Sequence, residues 1–220
     1  MIKIHSIHIG QPRTITDESG TWRSSIFREA VTGTIELGAR GLTRDQVTDT
    51  KNHGSPDQAV CCHSLDHYDY WNDVYGLEST DRALGPGSVG ENWTLIDADE
   101  TDICIGDVYG VGGARVQVSG PRVPCYKQGR KLALPDFRER TLDTLRTGFY
   151  LRVLTPGVVQ AGDGWISEER PWPSLTLSAV NRCGHHELDV GLAERLIDTP
   201  ELSDGWRRIL RRKLANAAST

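Results

Sequence analysis

The chemistry of this chain centres on Cys125. It stands in the run Gly120-Pro121-Arg122-Val123-Pro124-Cys125-Tyr126-Lys127. Two prolines fix φ and stiffen the loop, and Arg122 and Lys127 flank the thiol. Nearby cations favour the thiolate, which is the nucleophilic and metal-binding form. The same residues also suit a buried cysteine packed in a proline-rich turn, since cysteine is often buried, and local chemistry leaves both readings open. His63 and His67 lie four apart on an expected helix, just after Cys61 and Cys62. Two imidazoles at that spacing can share a metal, or sit unrelated on a helix surface. His185-His186-Glu187 reads as a solvated turn. Gly110-Val111-Gly112-Gly113 lacks the dinucleotide-binding spacing, and the chain has no P-loop and no G-x-S-x-G elbow.

A β-rich body has to hold that loop. Residues 2–9 alternate weakly and read as a first strand, and residues 10–24 are polar and read as a loop. Short strand-like pieces follow between Ile26 and Leu37. Ala59 to Cys62 reads as a buried strand, and a helix over 64–76 is expected, capped by Ser64 and stopped at Gly76. Trp93 to Ile96 reads as a strand and Val108 to Val118 as a hairpin, with Ala114, Val116 and Val118 on one face. A helix over 135–145 and a strand over Phe149 to Leu154 follow, with Val158-Val159 as that strand's hairpin partner. After Trp172-Pro173 the composition shifts to three short helices, with caps expected at Ser174, Asp189 and Ser203 or Asp204. The last helix carries an apolar stripe of Trp206, Ile209, Leu210 and Leu214. The expectation is a mainly β protein: an antiparallel barrel domain with a few helices over 1–167, then a small three-helix appendage over 173–220.

Composition narrows the function classes. Lys and Arg number 25 against 30 Asp and Glu, for a net charge of −5 over 220 residues. That balance argues against a general nucleic-acid binder, which needs clustered cations. No stretch approaches the roughly 20 apolar residues of a membrane helix, and the segment Met1 to His5 lacks a secretory h-region. The cysteines are Cys61, Cys62, Cys104, Cys125 and Cys183, an odd number with no C-x-x-C pair. Neither a disulfide framework nor a structural zinc site is indicated, and a reducing cytoplasm is the simplest compartment.

The segment Pro121-Arg122-Val123-Pro124-Cys125-Tyr126-Lys127 resembles the P-R-x-P-C-x-K signature of MOSC-domain proteins, named for the C-terminal domain of molybdenum cofactor sulfurases. Other pieces follow in the family's order over about 25–165. They are Ser25-Ile26-Phe27-Arg28 with Val31-Thr32-Gly33; Gly41-Leu42 with Asp45-Gln46 and Asp49; and His53-Gly54 with Asp57 and Ala59-Val60. Pro86-Gly87, Gly90-Glu91-Asn92, Gly106-Asp107 and Thr147 to Val153 continue the series. The tail resembles the three-helix appendage of the stand-alone YiiM-like subgroup, which is associated with resistance to 6-hydroxylaminopurine. Three positions depart from the pattern: Arg44 and Ser55 where glycine is usual, and Gln58 where lysine is usual.

The resemblance implies a β-barrel that binds the molybdenum cofactor, a molybdopterin with a phosphate and a dithiolene. It implies Cys125 as the thiolate ligand of the metal, since a soft ligand suits molybdenum. Arg122, Lys127 and Arg28 or Arg44 would meet the cofactor's negative charge. His53 would sit near the metal or pass protons, or else satisfy a loop backbone, while Glu91 and Asn92 would order the pocket loop. The implied activity is reduction of small N-hydroxylated bases and related N–O compounds to amines, with electrons from an external flavoprotein-type donor. Two alternatives stand beside it: a sulfur or molybdenum-cofactor carrier using Cys125, and a non-catalytic cofactor-binding module.

Overall fold

The computed structural model describes residues 1–51 and 53–219. In chain order the strands are β1 (Lys3–Gly10), β2 (Arg13–Asp17), β3 (Gly20–Ser24), β4 (Arg28–Ala30), β5 (Thr34–Gly38), β6 (Gly41–Leu42), β7 (Val60–Ser64), β8 (Trp93–Ile96), β9 (Val108–Val111), β10 (Ala114–Pro121), β11 (Phe149–Thr155), β12 (Gly157–Gln160) and β13 (Trp165–Glu169). The helices are α1 (Asp66–Tyr75), α2 (Tyr126–Leu132), α3 (Phe137–Thr144), α4 (Leu177–His185), α5 (Val190–Asp198) and α6 (Asp204–Ala217). Eight strands form one curled half-barrel in the order β13-β9-β10-β11-β7-β8-β1-β4, so β13 and β4 are its edges. A three-stranded sheet β12-β5-β6 and the hairpin β2-β3 complete the β structure.

The mainly β class with a three-helix tail is as the sequence led one to expect. Pairing is antiparallel except between β7 and β8, which run parallel, with α1 in the crossover between them. Val158-Val159 does not pair back on β11; β12 pairs with β5 instead, Val159 opposite Ile35. The segment expected as a loop over 10–24 holds β2 and β3. Few of its residues are apolar, but Ile15 and Trp22 face one another across the hairpin, and Asp17 binds Arg130 and the Trp22 indole. His63 lies on β7, not on the helix, because α1 begins at Asp66. Thr176, not Ser174, caps α4, its hydroxyl accepting from Ala179 N–H at 3.2 Å. Asp189 and Ser203 cap α5 and α6 as expected.

Alternation in β10 buries Ala114, Val116 and Val118 against Ile4, Ile7, Trp93, Leu95, Phe149 and Leu151. The tail joins this same core through Leu177, Val180, Leu196, Trp206 and Leu210. Each such side chain contributes about 1.5–3 kcal/mol on burial, which holds the tail against the barrel. A second cluster, with Tyr68, Trp71 and Phe137 at its centre, packs α1 on α3. It also includes Val89, on the loop that runs to Asn92. Among the described residues no helix is long and apolar enough to cross a membrane.

Two of the departures from the family pattern have a structural reading. Arg44 has φ +68°, the left-handed region that glycine adopts freely and arginine does not. Ser55 has φ −67° and needs no glycine; its hydroxyl accepts from Asp57 N–H at 3.1 Å and caps a short 3-10 turn over Pro56–Gln58.

Candidate functional site

The chain leaves β10 at Pro121 and enters α2 at Tyr126, so the segment that carries Cys125 is a bridge of four residues between strand and helix. Pro121 and Pro124 have no N–H to donate, and the bridge is held by other groups. Arg122 N–H donates to Gly148 O at 2.9 Å. Its guanidinium Nη2 donates to Val89 O at 2.9 Å, and Gln128 Nε2 reaches the same carbonyl at 3.4 Å. Cys125 caps α2, its N–H donating to Gln128 Oε1 at 3.2 Å. Gly148 approaches β7 so closely that a side chain there would run into the Cys62 carbonyl, and its φ is +73°.

This bridge forms one wall of a cavity of about 530 Å³. Cys125, His53, Arg122, Lys127, Arg28 and Asn92, all expected at a site, line it together. Glu91 stands behind the wall, fully buried. Its Oε1 accepts from Tyr68 Oη at 2.5 Å, Gly87 N–H at 2.7 Å and Thr94 Oγ1 at 2.7 Å, which orders the loop that brings Asn92 to the cavity. Gln58 also lines the cavity, a neutral group where the family pattern has a cation. Arg44 is absent from the lining, its carbonyl accepting from the Gln11 amide. His67 and Glu100 pair away from the cavity, Nε2 to Oε2 at 3.2 Å.

The cations differ in how far the protein already satisfies them. Arg28 is engaged by Asp45 and by the Gly90 carbonyl. Lys127 Nζ donates to Arg23 O at 3.3 Å and is partly open to solvent. Arg122 is buried, and its Nη1 has no hydrogen-bond partner among the described residues. A buried cationic donor without an acceptor costs stability unless an anion reaches it. Burial, and then the charge of Arg122, holds the His53 imidazole below its ordinary pKa, so it is neutral near pH 7. An arginine with one unpartnered nitrogen, a partly exposed lysine and a thiol in one cavity suit an anionic ligand carrying a soft metal.

Sequence reasoning missed several residues of the lining. Cys61 faces the cavity while its neighbours Val60 and Cys62 enter the core, the two-residue period of a strand. Burial pushes its thiol pKa up. Tyr150, on the adjacent strand opposite Cys61, also lines the cavity, and burial pushes its phenol up to about 12. Trp206 comes from the tail, as do Ser203 and Ile209, so α6 closes one side. The apolar stripe of α6 was visible in sequence, but its target was not.

The MOSC domain family model matches residues 49–164. The chain is 31% identical to protein YflK of Bacillus subtilis over 94% of this chain and 92% of that one. It is 30% identical to a protein named reductase from Gibberella moniliformis, over 74% of this chain and 29% of that one. The crystal structure of YiiM from Geobacillus stearothermophilus superposes with a TM-score of 0.80 at 33% identity, covering 97% of this chain and all of that one.

Proposed function

The chain belongs to the MOSC domain family, and from that premise we propose that it binds the molybdenum cofactor and reduces N-hydroxylated bases or related N–O compounds to amines. The observation that carries the reading is Arg122: a buried guanidinium with an unpartnered Nη1, lining the same cavity as Cys125. The reductase name of the Gibberella relative supports a redox role. When bound, the cofactor supplies two-electron oxygen-atom transfer.

The chain's own residues do the rest. Cys125 offers a sulfur ligand to the metal, and the short bridge of 122–125 fixes its direction. Arg122 and Lys127 hold anionic oxygens by charge-assisted hydrogen bonds. Arg28, locked to Asp45, and Asn92 keep the opposite wall in place. Neutral His53 can take a proton from solvent and pass it to a departing oxygen. The balance is R–NHOH plus two protons and two electrons giving R–NH2 and water: the N–O bond breaks, and an external flavoprotein-type donor supplies both electrons. Five free cysteines fit a reducing cytoplasm.

The test is molybdenum per chain in protein from a cofactor-competent host, followed by turnover of benzamidoxime or hydroxylaminopurine with a strong artificial reductant. Stoichiometric metal and amine product are expected. Metal without turnover points to the carrier role of Cys125. Absence of molybdenum overturns the proposal.

A further inference from the structure

Trp206 joins the helical tail to the cavity wall by a directed contact. Its indole Nε1–H donates to the Pro121 carbonyl at 2.7 Å, across 85 residues of sequence. The ring is nearly fully buried. A methyl group at Gly120 would come within 2.7 Å of its Cδ1, and one at Gly184 would strike its opposite edge, so the indole sits in a slot between two glycines. Beside it, Ser203 N–H donates to Ser119 O at 2.8 Å, and the Ser203 hydroxyl accepts from Trp206 N–H at 3.4 Å. The tail thus grips Ser119 and Pro121, the two residues flanking Gly120, immediately before Arg122.

We propose that Trp206 is a positioning residue of the cavity: by holding the Pro121 carbonyl it sets the direction in which Arg122 and Cys125 leave β10. The physical reason lies in the bridge itself. Pro121 at the strand end and Pro124 within the bridge have no N–H to donate, so the bridge is tethered by the few groups that reach it from outside. Val89 O supplies one anchor and Gly148 O another. Trp206 supplies the anchor at the strand end, and without it the buried Pro121 carbonyl loses that donor. The geometry stands on the protein alone; its consequence for metal loading rests on the cofactor reading.

The test compares Trp206→Phe, which keeps an aromatic ring and removes the donor, with Leu196→Ala. Leu196 is fully buried in α5, and its loss weakens tail packing without touching Pro121. Cys125 alkylation by iodoacetamide is read by mass spectrometry on cofactor-free, folded protein, with melting temperature measured alongside. W206F is expected to speed alkylation about fivefold to tenfold, the effect of one lost buried hydrogen bond on the opening equilibrium of the bridge. L196A is expected to leave the rate near wild type. Gly120→Ala presses on the indole from the strand side and is expected to act like W206F, which keeps the test alive should W206F fail to fold. An unchanged rate in W206F or G120A overturns the proposal, and so does an equal rise in L196A, which would make the tail mere packing. In cofactor-loaded preparations, molybdenum per chain is expected to fall further in W206F than in L196A. Should wild-type protein hold no molybdenum, the cofactor reading fails while the alkylation comparison still decides the positioning.

Discussion

Arg28 and Asp45 meet as a two-pronged pair, Nη2 to Oδ2 at 3.0 Å and Nε to Oδ1 at 3.3 Å, with both side chains largely buried. Asp45 also accepts from Gly10 N–H at 2.7 Å and from Asn92 Nδ2 at 2.9 Å. One carboxylate therefore ties β1, the 42–49 loop, β4 and the loop before β8 into a single wall of the cavity. Asp45→Ala leaves a buried guanidinium unpaired, and the expected loss is about 3–5 kcal/mol. Urea denaturation measures it; a loss below about 1 kcal/mol, the range of an exposed pair, would show that solvent already screens Arg28.

Arg122 is the opposite case. Its Nη1 has no described partner to lose and its Nη2 loses one neutral acceptor, Val89 O, so Arg122→Ala should disturb the fold less than Asp45→Ala while costing ligand retention more. A charge-assisted contact is worth about 1.5–3 kcal/mol, or on the order of tenfold to a hundredfold in affinity. Arg211→Ala, on an exposed position of α6, serves as the comparison. Molybdenum retained after gel filtration is the measurement, and equal retention in R122A and R211A would remove Arg122 from the binding site.

These residues also mark what the sequence made legible. The Cys125 bridge was readable because its prolines, cations and thiol are consecutive, and local chemistry needs no tertiary information. Strand alternation in β10 was readable for the same reason. The Trp206–Pro121 contact was not, because pairing across 85 residues depends on where the tail docks. The hairpin β2-β3 was hidden by its polar composition: its buried Trp22 is covered by the Arg130 guanidinium at 4.8 Å, a partner more than 100 residues away. Cys61 could have been found, since one of two consecutive cysteines on a strand must face away from the core; the sequence did not show that a cavity lay on that side. His63 was misplaced because an i, i+4 spacing with His67 reads as helix even when a strand ends between the two residues; His67 does lie on α1.

Acid sensitivity should come from buried imidazoles. Burial, and then the charges of Lys213, His186 and Arg138, hold His185 down to about 4, and its buried Nε2 has no partner among the described residues. The unfolded chain titrates near 6.5. Between those values the unfolded state takes up a proton that the folded state refuses, so stability rises with pH across the window. The full contribution is present above about 6.5 and fades as pH falls toward 4. Burial also lowers His63 and His53, which adds to the same slope. His185→Phe keeps a ring beside Trp206, whose centroid lies 5.3 Å from that of His185, and removes the titrating group. Denaturant unfolding at pH 7 and pH 5 should show a smaller stability difference in H185F than in wild type. An unchanged difference would mean that His185 is protonated in the folded chain.

Cys125 is expected to be the thiol that reacts first. Cys61, Cys62, Cys104 and Cys183 are buried, and burial pushes each of their thiols up, whereas Cys125 is half-exposed at the head of α2. Cys61 is next in order, since it lines the same cavity with only 4% of its surface exposed. Alkylation of cofactor-free protein, followed by peptide mass spectrometry, should therefore label Cys125, then Cys61, and the other three only on unfolding. Cofactor loading should protect Cys125, because a sulfur bound to metal cannot attack. Cys125→Ser is close in shape but offers a hard, protonated oxygen in place of a soft thiolate. Its melting temperature should stay within a few degrees of wild type, in keeping with a change of less than about 1 kcal/mol, while N–O reduction is lost. Full activity in the serine variant, or an inert Cys125 in the cofactor-free chain, would reduce Cys125 to a packing residue and leave Arg122 facing some other anion.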